Sequence, residues 1–219
     1  TKFKRIYALP EQVLPSQLME NAPSKHEAQK QLLTLAAKSL GIGTQKDLGD
    51  YFRLWQPAKL TPLLHELVEE GKLLRADVAG WESDAYTTPT TNLSPSQHRG
   101  TTVLSPFDPV CWNRDRTSRI FGFEYKIEIY VPEPKRIFGY YSLPLLHNGE
   151  IIARLDLKSN RQENTLQVQS SWAEESNVKK FPVAAVSKHL NQIAKWQGLS
   201  KIQVATKGNV ALELGADSL

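Results

Sequence analysis

The chain has 219 residues, with 27 Lys and Arg against 23 Asp and Glu, a formal net charge of +4, and one cysteine. This length allows one large domain or two small ones, and 40% hydrophobic with 23% charged residues is globular composition. One cysteine cannot form an internal disulfide, and no apolar run approaches the ~18 residues of a membrane-spanning helix. We therefore expect a protein of the reducing cytoplasm with no membrane partner.

The first 92 residues predict a helical module behind a proline-containing lead-in over residues 1–23. Ser24 with Glu27, and Thr44 with Asp47, have the spacing of reciprocal helix N-caps. The predicted elements are helices over 25–40, from Thr44 to the break near Gln56, and over 58–70, then a hairpin of 73–78 with 81–88. Three helices followed by a hairpin are the order of a winged helix-turn-helix domain, assigned to residues 24–92.

The third predicted helix would be the DNA-reading helix of such a domain. It carries one side chain that is positively charged at neutral pH, Lys59, beside the polar residues Gln56, Thr61 and His65. Winged helices also dock proteins, so a DNA-reading role and a protein-docking role both stay open here.

Residues 93–100 have linker composition, and residues 101–219 predict a second domain rich in strands. Asn148-Gly149 is a strong hairpin signal within it. The predicted elements are a helix over 109–121 capped by Asp108, strands over 125–131, 138–146, 150–158, 165–172, 202–205 and 210–214, and a helix over 181–198. The fold class is thus predicted as α+β: a winged helix-turn-helix followed by a small antiparallel β-barrel with a capping helix.

Positive charge is concentrated in the second domain. Residues 114–161 hold nine Lys or Arg and six acids, so this segment supplies +3 of the +4. Lys135, Arg136, Lys158 and Arg161 fall at predicted strand ends or hairpin tips, where long cationic side chains reach phosphates. Double-stranded DNA is the partner that this distribution favours.

Catalytic and metal motifs are missing from the sequence. Asp108, Glu128 and Asp156 lie among apolar residues and are predicted to form salt bridges with neighbouring arginines. Cys111 beside Trp112 is predicted to be a buried small apolar residue, not a nucleophile. The five histidines are isolated from one another, so we expect no metal and no cofactor.

The segment 104–156 carries a family resemblance. Its residues are Leu104-Ser105-Pro106-Phe107-Asp108, Trp112-Asn113-Arg114-Asp115-Arg116, Phe121-Gly122-Phe123-Glu124-Tyr125, Glu128-Ile129-Tyr130-Val131-Pro132, Lys135-Arg136, Gly139-Tyr140-Tyr141-Ser142-Leu143-Pro144 and Arg154-Leu155-Asp156. They resemble the AlkZ/YcaQ-type winged-helix DNA glycosylases, and Arg5-Ile6-Tyr7 with the Pro10 to Pro15 segment extends the resemblance over nearly the whole chain. Ala153 and Asn113 depart from the family pattern.

The resemblance implies tandem winged helices followed by a β-barrel, a C-shaped body around DNA, and excision of alkylated or crosslinked bases. It also implies a glutamine-x-glutamine or glutamine-x-aspartate catalytic motif in the N-terminal part of the protein, which we expect upstream of Thr1. Gln167-Val168-Gln169 lies in a predicted strand and is interpreted as a coincidental match. The catalytic residues are therefore left unassigned.

The leading hypothesis is the DNA-binding portion of a glycosylase-like repair protein, cytoplasmic and nucleoid-associated, of undetermined oligomeric state. The alternatives are a winged-helix transcriptional regulator with a β-barrel effector domain, and a protein-binding scaffold. The predicted DNA-binding residues are Lys59, Arg114, Arg116, Lys135, Arg136, Arg154, Lys158 and Arg161.

Overall fold

The computed structural model describes residues 5–54, 56–92 and 99–217. The chain divides into two compact units, 1–92 and 93–219. The predicted linker over 93–100 lies mostly outside the described residues. Across the described ranges, no helix is both long and apolar enough to cross a membrane.

The first unit contains five helices and three short strands among its described residues. In chain order they are α1 (Pro10–Val13), α2 (Ser16–Glu20), α3 (Lys25–Leu40), β1 (Ile42–Thr44), α4 (Gln45–Tyr51), α5 (Pro57–Glu69), β2 (Leu74–Ala76) and β3 (Ala85–Thr87). The Ser24 hydroxyl accepts the Glu27 N–H at 3.2 Å, and Thr44 and Asp47 cap each other reciprocally. The predicted starts of α3 and α4 are therefore confirmed.

A leucine-rich core holds α3, α4 and α5 together. Leu33, Leu48, Leu64 and Leu67 are fully buried in it, which matches the helical spacing of these leucines in the sequence. The strands form an antiparallel sheet in the order β1-β3-β2. The sequence did not predict β1, because three residues between a glycine turn and a helix carry no alternating pattern.

The second unit is built on a five-stranded sheet in the order β4-β5-β6-β7-β8. A β-bulge in β6 and another in β7 bend the sheet into a curled, half-barrel shape. Its elements are β4 (Thr101–Val103), α6 (Arg114–Phe121), a 3-10 turn (Glu133–Lys135), β5 (Ser142–His147), β6 (Glu150–Asn160), β7 (Thr165–Ala173), a 3-10 helix (Glu175–Lys180), α7 (Val183–Trp196), β8 (Lys201–Val204) and α8 (Ala211–Asp217).

Several predictions for this unit are wrong in detail. The last strand, β8, pairs in parallel with β7, so the sheet is not purely antiparallel. Residues 210–214 fall in and before α8, not in a strand, because a short apolar run suits either structure. The helix predicted from residue 109 begins at Arg114, since Asn113 accepts the Arg116 N–H and supplies the N-cap.

The two faces of the curled sheet are covered differently. On one face α7 and α8 bury an apolar core that includes Leu155, Leu190 and Leu214. On the other face lies the irregular segment 122–141, whose Phe123 and Tyr125 are buried. The strand predicted over 125–131 is therefore wrong. Its alternating apolar residues pack against the sheet, but its backbone does not pair with a strand.

Candidate nucleic-acid interface

The irregular segment ends in a loop that exposes apolar and cationic side chains together. We call residues 130–140 the tyrosine loop. Tyr130 is 91% exposed, Ile137 60% and Tyr140 51%. Lys135 is exposed beside them, and the Arg136 guanidinium lies 4.8 Å from the centre of the Tyr140 ring. Side chains of both kinds are those that proteins use against DNA.

A buried carboxylate, Glu128, holds the second half of the tyrosine loop. Its Oε1 accepts the backbone N–H of Ile137 at 3.2 Å. Its Oε2 accepts the backbone N–H of Phe138 at 2.8 Å and that of Gly139 at 3.1 Å. The carboxylate thus takes the place of a strand partner for three successive amides.

A second buried carboxylate, Asp156 of β6, continues this arrangement. Its Oδ2 accepts the Tyr140 N–H at 2.6 Å, and its Oδ1 accepts the Tyr141 N–H at 3.4 Å. Five consecutive backbone amides, 137–141, therefore donate to two carboxylates. The salt bridges predicted for Glu128 and Asp156 are replaced by these amide bonds, because the backbone has no other ladder here.

Glycine is required where the two carboxylates meet. Gly139 has φ +130°, and a Cβ built on it would lie 2.2 Å from Asp156 Oδ2. Any side chain at this position would push the aspartate away from the loop. The close approach of backbone to carboxylate therefore depends on the missing Cβ.

The electrostatics of Glu128 show that it is held as an anion. Burial raises the pKa of Glu128, but the three backbone N–H groups and the charge of Lys207 outweigh that effect, and the net pKa lies below its ordinary value. At neutral pH the group is a carboxylate that can accept all three bonds. A general-acid role for Glu128 is thereby disfavoured.

The tyrosine loop is also fixed through Phe138. The Phe138 carbonyl accepts the Ser170 hydroxyl, and its ring meets Trp172 edge-to-face with 6.0 Å between ring centres. The Arg154 guanidinium lies between Phe138, at 4.1 Å from the ring centre, and Phe123, at 4.2 Å. These contacts anchor the exposed residues to β6 and β7, so the loop has a defined shape.

Arg154 is a structural cation. It is 4% exposed, donates to the Glu124 carbonyl at 3.0 Å and pairs with the Glu174 carboxylate. Arg116 is 7% exposed. Burial removes both guanidiniums from the surface on which a phosphate contact can form, so the prediction that Arg116 and Arg154 bind DNA is corrected.

The remaining predicted residues are at the surface, and some lie near the loop. Lys158 follows Asp156 by two positions on β6, so it shares the sheet face that the tyrosine loop covers and is exposed beyond it. The others are Arg114 at the start of α6, Arg161 in the β6–β7 turn, and Lys59 in the first unit. The structure thus brings Lys135, Arg136 and Lys158 to one side of the sheet.

Sequence reasoning missed the exposed apolar residues Tyr130 and Ile137 and the nearby Lys207. Pro132 and Pro134 were the available signal, because two prolines so close together disfavour a regular strand and indicate a loop. Of the adjacent Tyr140 and Tyr141, Tyr140 is the more exposed.

The groups that could do covalent chemistry are poorly placed for it. Burial, and after it the charge of Asp108, raises the pKa of Cys111 to about 12, and its thiol donates to the Ser105 carbonyl. Gln167 is half-buried and pairs with Lys158 of β6, whereas Gln169 is exposed in the β-bulge of β7. Within the described ranges, no three His, Cys, Asp or Glu side chains form a metal-binding group.

Comparison with known proteins identifies the family of the chain. The fold is similar to that of the Streptomyces sahachiroi DNA glycosylase AlkZ, with a TM-score of 0.54 and 18% identity over 84% of this chain. The match covers 46% of the AlkZ chain, so this chain spans about half of its length. A family model described as DNA glycosylase AlkZ-like matches residues 1–196. On that match, the chain belongs to the AlkZ-like DNA glycosylase family.

Proposed function

We propose that this chain binds double-stranded DNA for a repair glycosylase that removes alkylated or crosslinked bases. The observation that carries the proposal is the tyrosine loop, where Lys135 and Arg136 stand beside exposed aromatic residues on a surface fixed by buried carboxylates. Family membership supplies the DNA substrate class. We expect the protein to act in the cytoplasm at the nucleoid.

The proposed contact set is the exposed part of the predicted one. Lys135, Arg136 and Lys158 would contact phosphates on the side of the sheet that carries the tyrosine loop, and Arg114 and Arg161 would extend the contact. Arg136 has a constrained geometry, because its Nε donates to the Val131 carbonyl at 2.8 Å. Its terminal nitrogens are the atoms available to a phosphate.

We interpret the first unit as a winged helix. Its order α3-β1-α4-α5-β2-β3 and its sheet order β1-β3-β2 support that interpretation. Lys59 lies exposed in the first turn of α5, the helix that would face DNA. The residues that would carry the base-excision step are left unassigned.

The test is duplex binding by fluorescence anisotropy at several salt concentrations. Each phosphate contact contributes about 0.9 to the slope of log affinity against log salt, so Lys135→Ala should reduce the slope by about 1 and weaken binding equally for unrelated sequences. Lys179→Ala is the matched control, since Lys179 is an exposed lysine of the 3-10 helix and not of the tyrosine loop.

Three outcomes would contradict the proposal. Binding that does not depend on salt, or no binding at micromolar protein, would remove the DNA-binding role. A specific-to-nonspecific affinity ratio of about 10³ or more would favour the transcriptional regulator instead. An assay with alkylated duplexes and the full-length protein then tests base excision, which releases the free base and leaves an abasic site in the DNA.

A further inference from the structure

We propose that Tyr130, Ile137 and Tyr140 form a preformed wedge that enters the base stack of duplex DNA at positions where stacking is broken. The inference rests on the proposed DNA-binding function and adds a preference for distorted duplex. It concerns how the apolar part of the tyrosine loop is used, whereas the salt-dependent contacts concern its cations.

The first step is the exposure of these side chains. A protein surface tolerates scattered apolar residues, but here two tyrosines and an isoleucine, all more than half exposed, lie within eleven residues of chain. Architectural DNA-binding proteins insert side chains of this kind between base steps. Tyrosine rings can also stack on an exposed base face.

The second step is the rigidity of the support. Inserting a side chain into DNA costs a few kcal/mol of unstacking, so a flexible loop that must also be ordered is poorly suited to it. Glu128 and Asp156 bind the amides of residues 137–141, and Arg136 is stacked on Tyr140. The ordering cost is therefore met when the protein folds, before DNA is bound.

The third step is charge, which selects DNA as the occupant of this surface. Within the tyrosine loop Lys135 and Arg136 outnumber the single acid Glu133, and Lys158 is exposed on the same sheet face. An apolar tip flanked by cations suits a polyanion that carries stacked bases. It suits a second copy of the same positively charged surface poorly, because like charges would face each other.

A wedge should favour DNA that has already lost stacking. Opening a matched duplex costs more than entering at an abasic or mismatched position. We therefore expect about tenfold tighter binding to a duplex with one abasic-site analogue than to the matched duplex of the same sequence. Tenfold corresponds to about 1.4 kcal/mol, within the range of one base stacked on an aromatic ring.

The experiment measures both duplexes with the chain and three variants. Tyr130→Ala combined with Ile137→Ala should abolish the preference for the abasic duplex, whereas the salt slope, which the cations set, should stay close to wild type on both duplexes. Lys135→Ala should weaken both duplexes equally and keep the preference. Leu212→Ala removes an exposed apolar side chain on α8 and should change neither.

A spectroscopic measurement separates insertion from surface contact. A 2-aminopurine placed beside the abasic position should change in fluorescence when the wild-type chain binds, and should respond much less to the Tyr130→Ala/Ile137→Ala variant at saturation. The changed residues are exposed, so both proteins should show the same unfolding midpoint.

The outcomes are distinguishable. Equal affinity for the two duplexes, or a preference that survives the double substitution, overturns the wedge and leaves the DNA-binding role intact. No binding to matched duplex overturns the proposed function together with the wedge. A dimer that the double substitution dissociates shows that a second copy occupies this surface and also overturns the wedge.

Discussion

Each unit buries charge, but the charges have different partners. In the first unit the buried Lys30 of α3 pairs with Glu66 of α5, at 3.2 Å, and with Glu70 at its end. In the second unit the buried Glu128 and Asp156 accept bonds from backbone amides. We call Lys30, Glu66, Glu70 and Lys72 the Lys30 cluster. This cluster joins helices that already have their own backbone hydrogen bonds, whereas the two carboxylates supply acceptors for the backbone N–H groups of a loop.

This difference separates side chains that strengthen a fold from those that shape a surface. The loss of an ion pair between two helices leaves both helices formed. The loss of a carboxylate beneath the tyrosine loop leaves buried N–H groups without acceptors. Changes beneath the loop should therefore affect stability and DNA binding together, whereas changes in the Lys30 cluster should affect stability alone.

The largest effect is expected for Gly139→Ala. The positive φ of Gly139 and the 2.2 Å approach to Asp156 Oδ2 combine strain with overpacking, for a cost of about 4 kcal/mol in unfolding free energy. Gly149→Ala is the matched control, since φ is +88° there and nothing lies within 4 Å of the added Cβ. If urea denaturation shows that both variants lose the same unfolding free energy, the close approach of Gly139 to Asp156 is refuted.

A smaller effect is expected for Glu128→Gln. The carboxamide keeps one acceptor oxygen and turns an NH₂ group toward backbone N–H donors. We expect this change to lower the free energy of unfolding by about 2 kcal/mol. Preference for the abasic duplex should weaken as well, because the loop loses its fixed shape. Glu133→Gln, on an exposed residue of the same loop, should change stability by less than about 0.5 kcal/mol. Unchanged denaturation midpoints for both variants would contradict the amide-anchoring role.

The smallest effect is expected for the Lys30 cluster and appears as a pH dependence. Bonds from Lys30 and Lys72 lower the pKa of Glu70 from 4.5 to about 2. A pKa lowered by folding adds stability above about pH 4.5, which is lost as pH falls toward 2. Glu70→Gln should flatten that part of the curve modestly, because Glu70 is 38% exposed and solvent screens the pair. DNA affinity near neutral pH should not change; a change there would show that the Lys30 cluster also shapes the binding surface.

The helices of the first unit were predictable because their signals are local. Ser24 with Glu27 and Thr44 with Asp47 lie three residues apart and bond within one turn, so the sequence alone contains the whole interaction. The irregular segment of the second unit was not predictable. Its order depends on Asp156, which is sixteen residues from Tyr140, and no local pattern reports such a bond.

The candidate site was predictable in the same partial way. Lys135 and Arg136 were recognised from their position near a turn, which is a local property. Arg154 was grouped with them because charge alone cannot distinguish a guanidinium at the surface from one buried between two phenylalanine rings. Only the packed structure separates the two kinds of arginine.

The parallel pairing of β8 with β7 bears on the order of folding. β5, β6 and β7 follow one another through short turns, so they can pair as local hairpins. β8 reaches β7 only after the chain has passed through α7, so its contacts close a much longer loop. In a pulse-labelled hydrogen-exchange experiment we expect the amides of β6 to gain protection early and those of the edge strands β4 and β8, whose pairings close the longer loops, to gain it last.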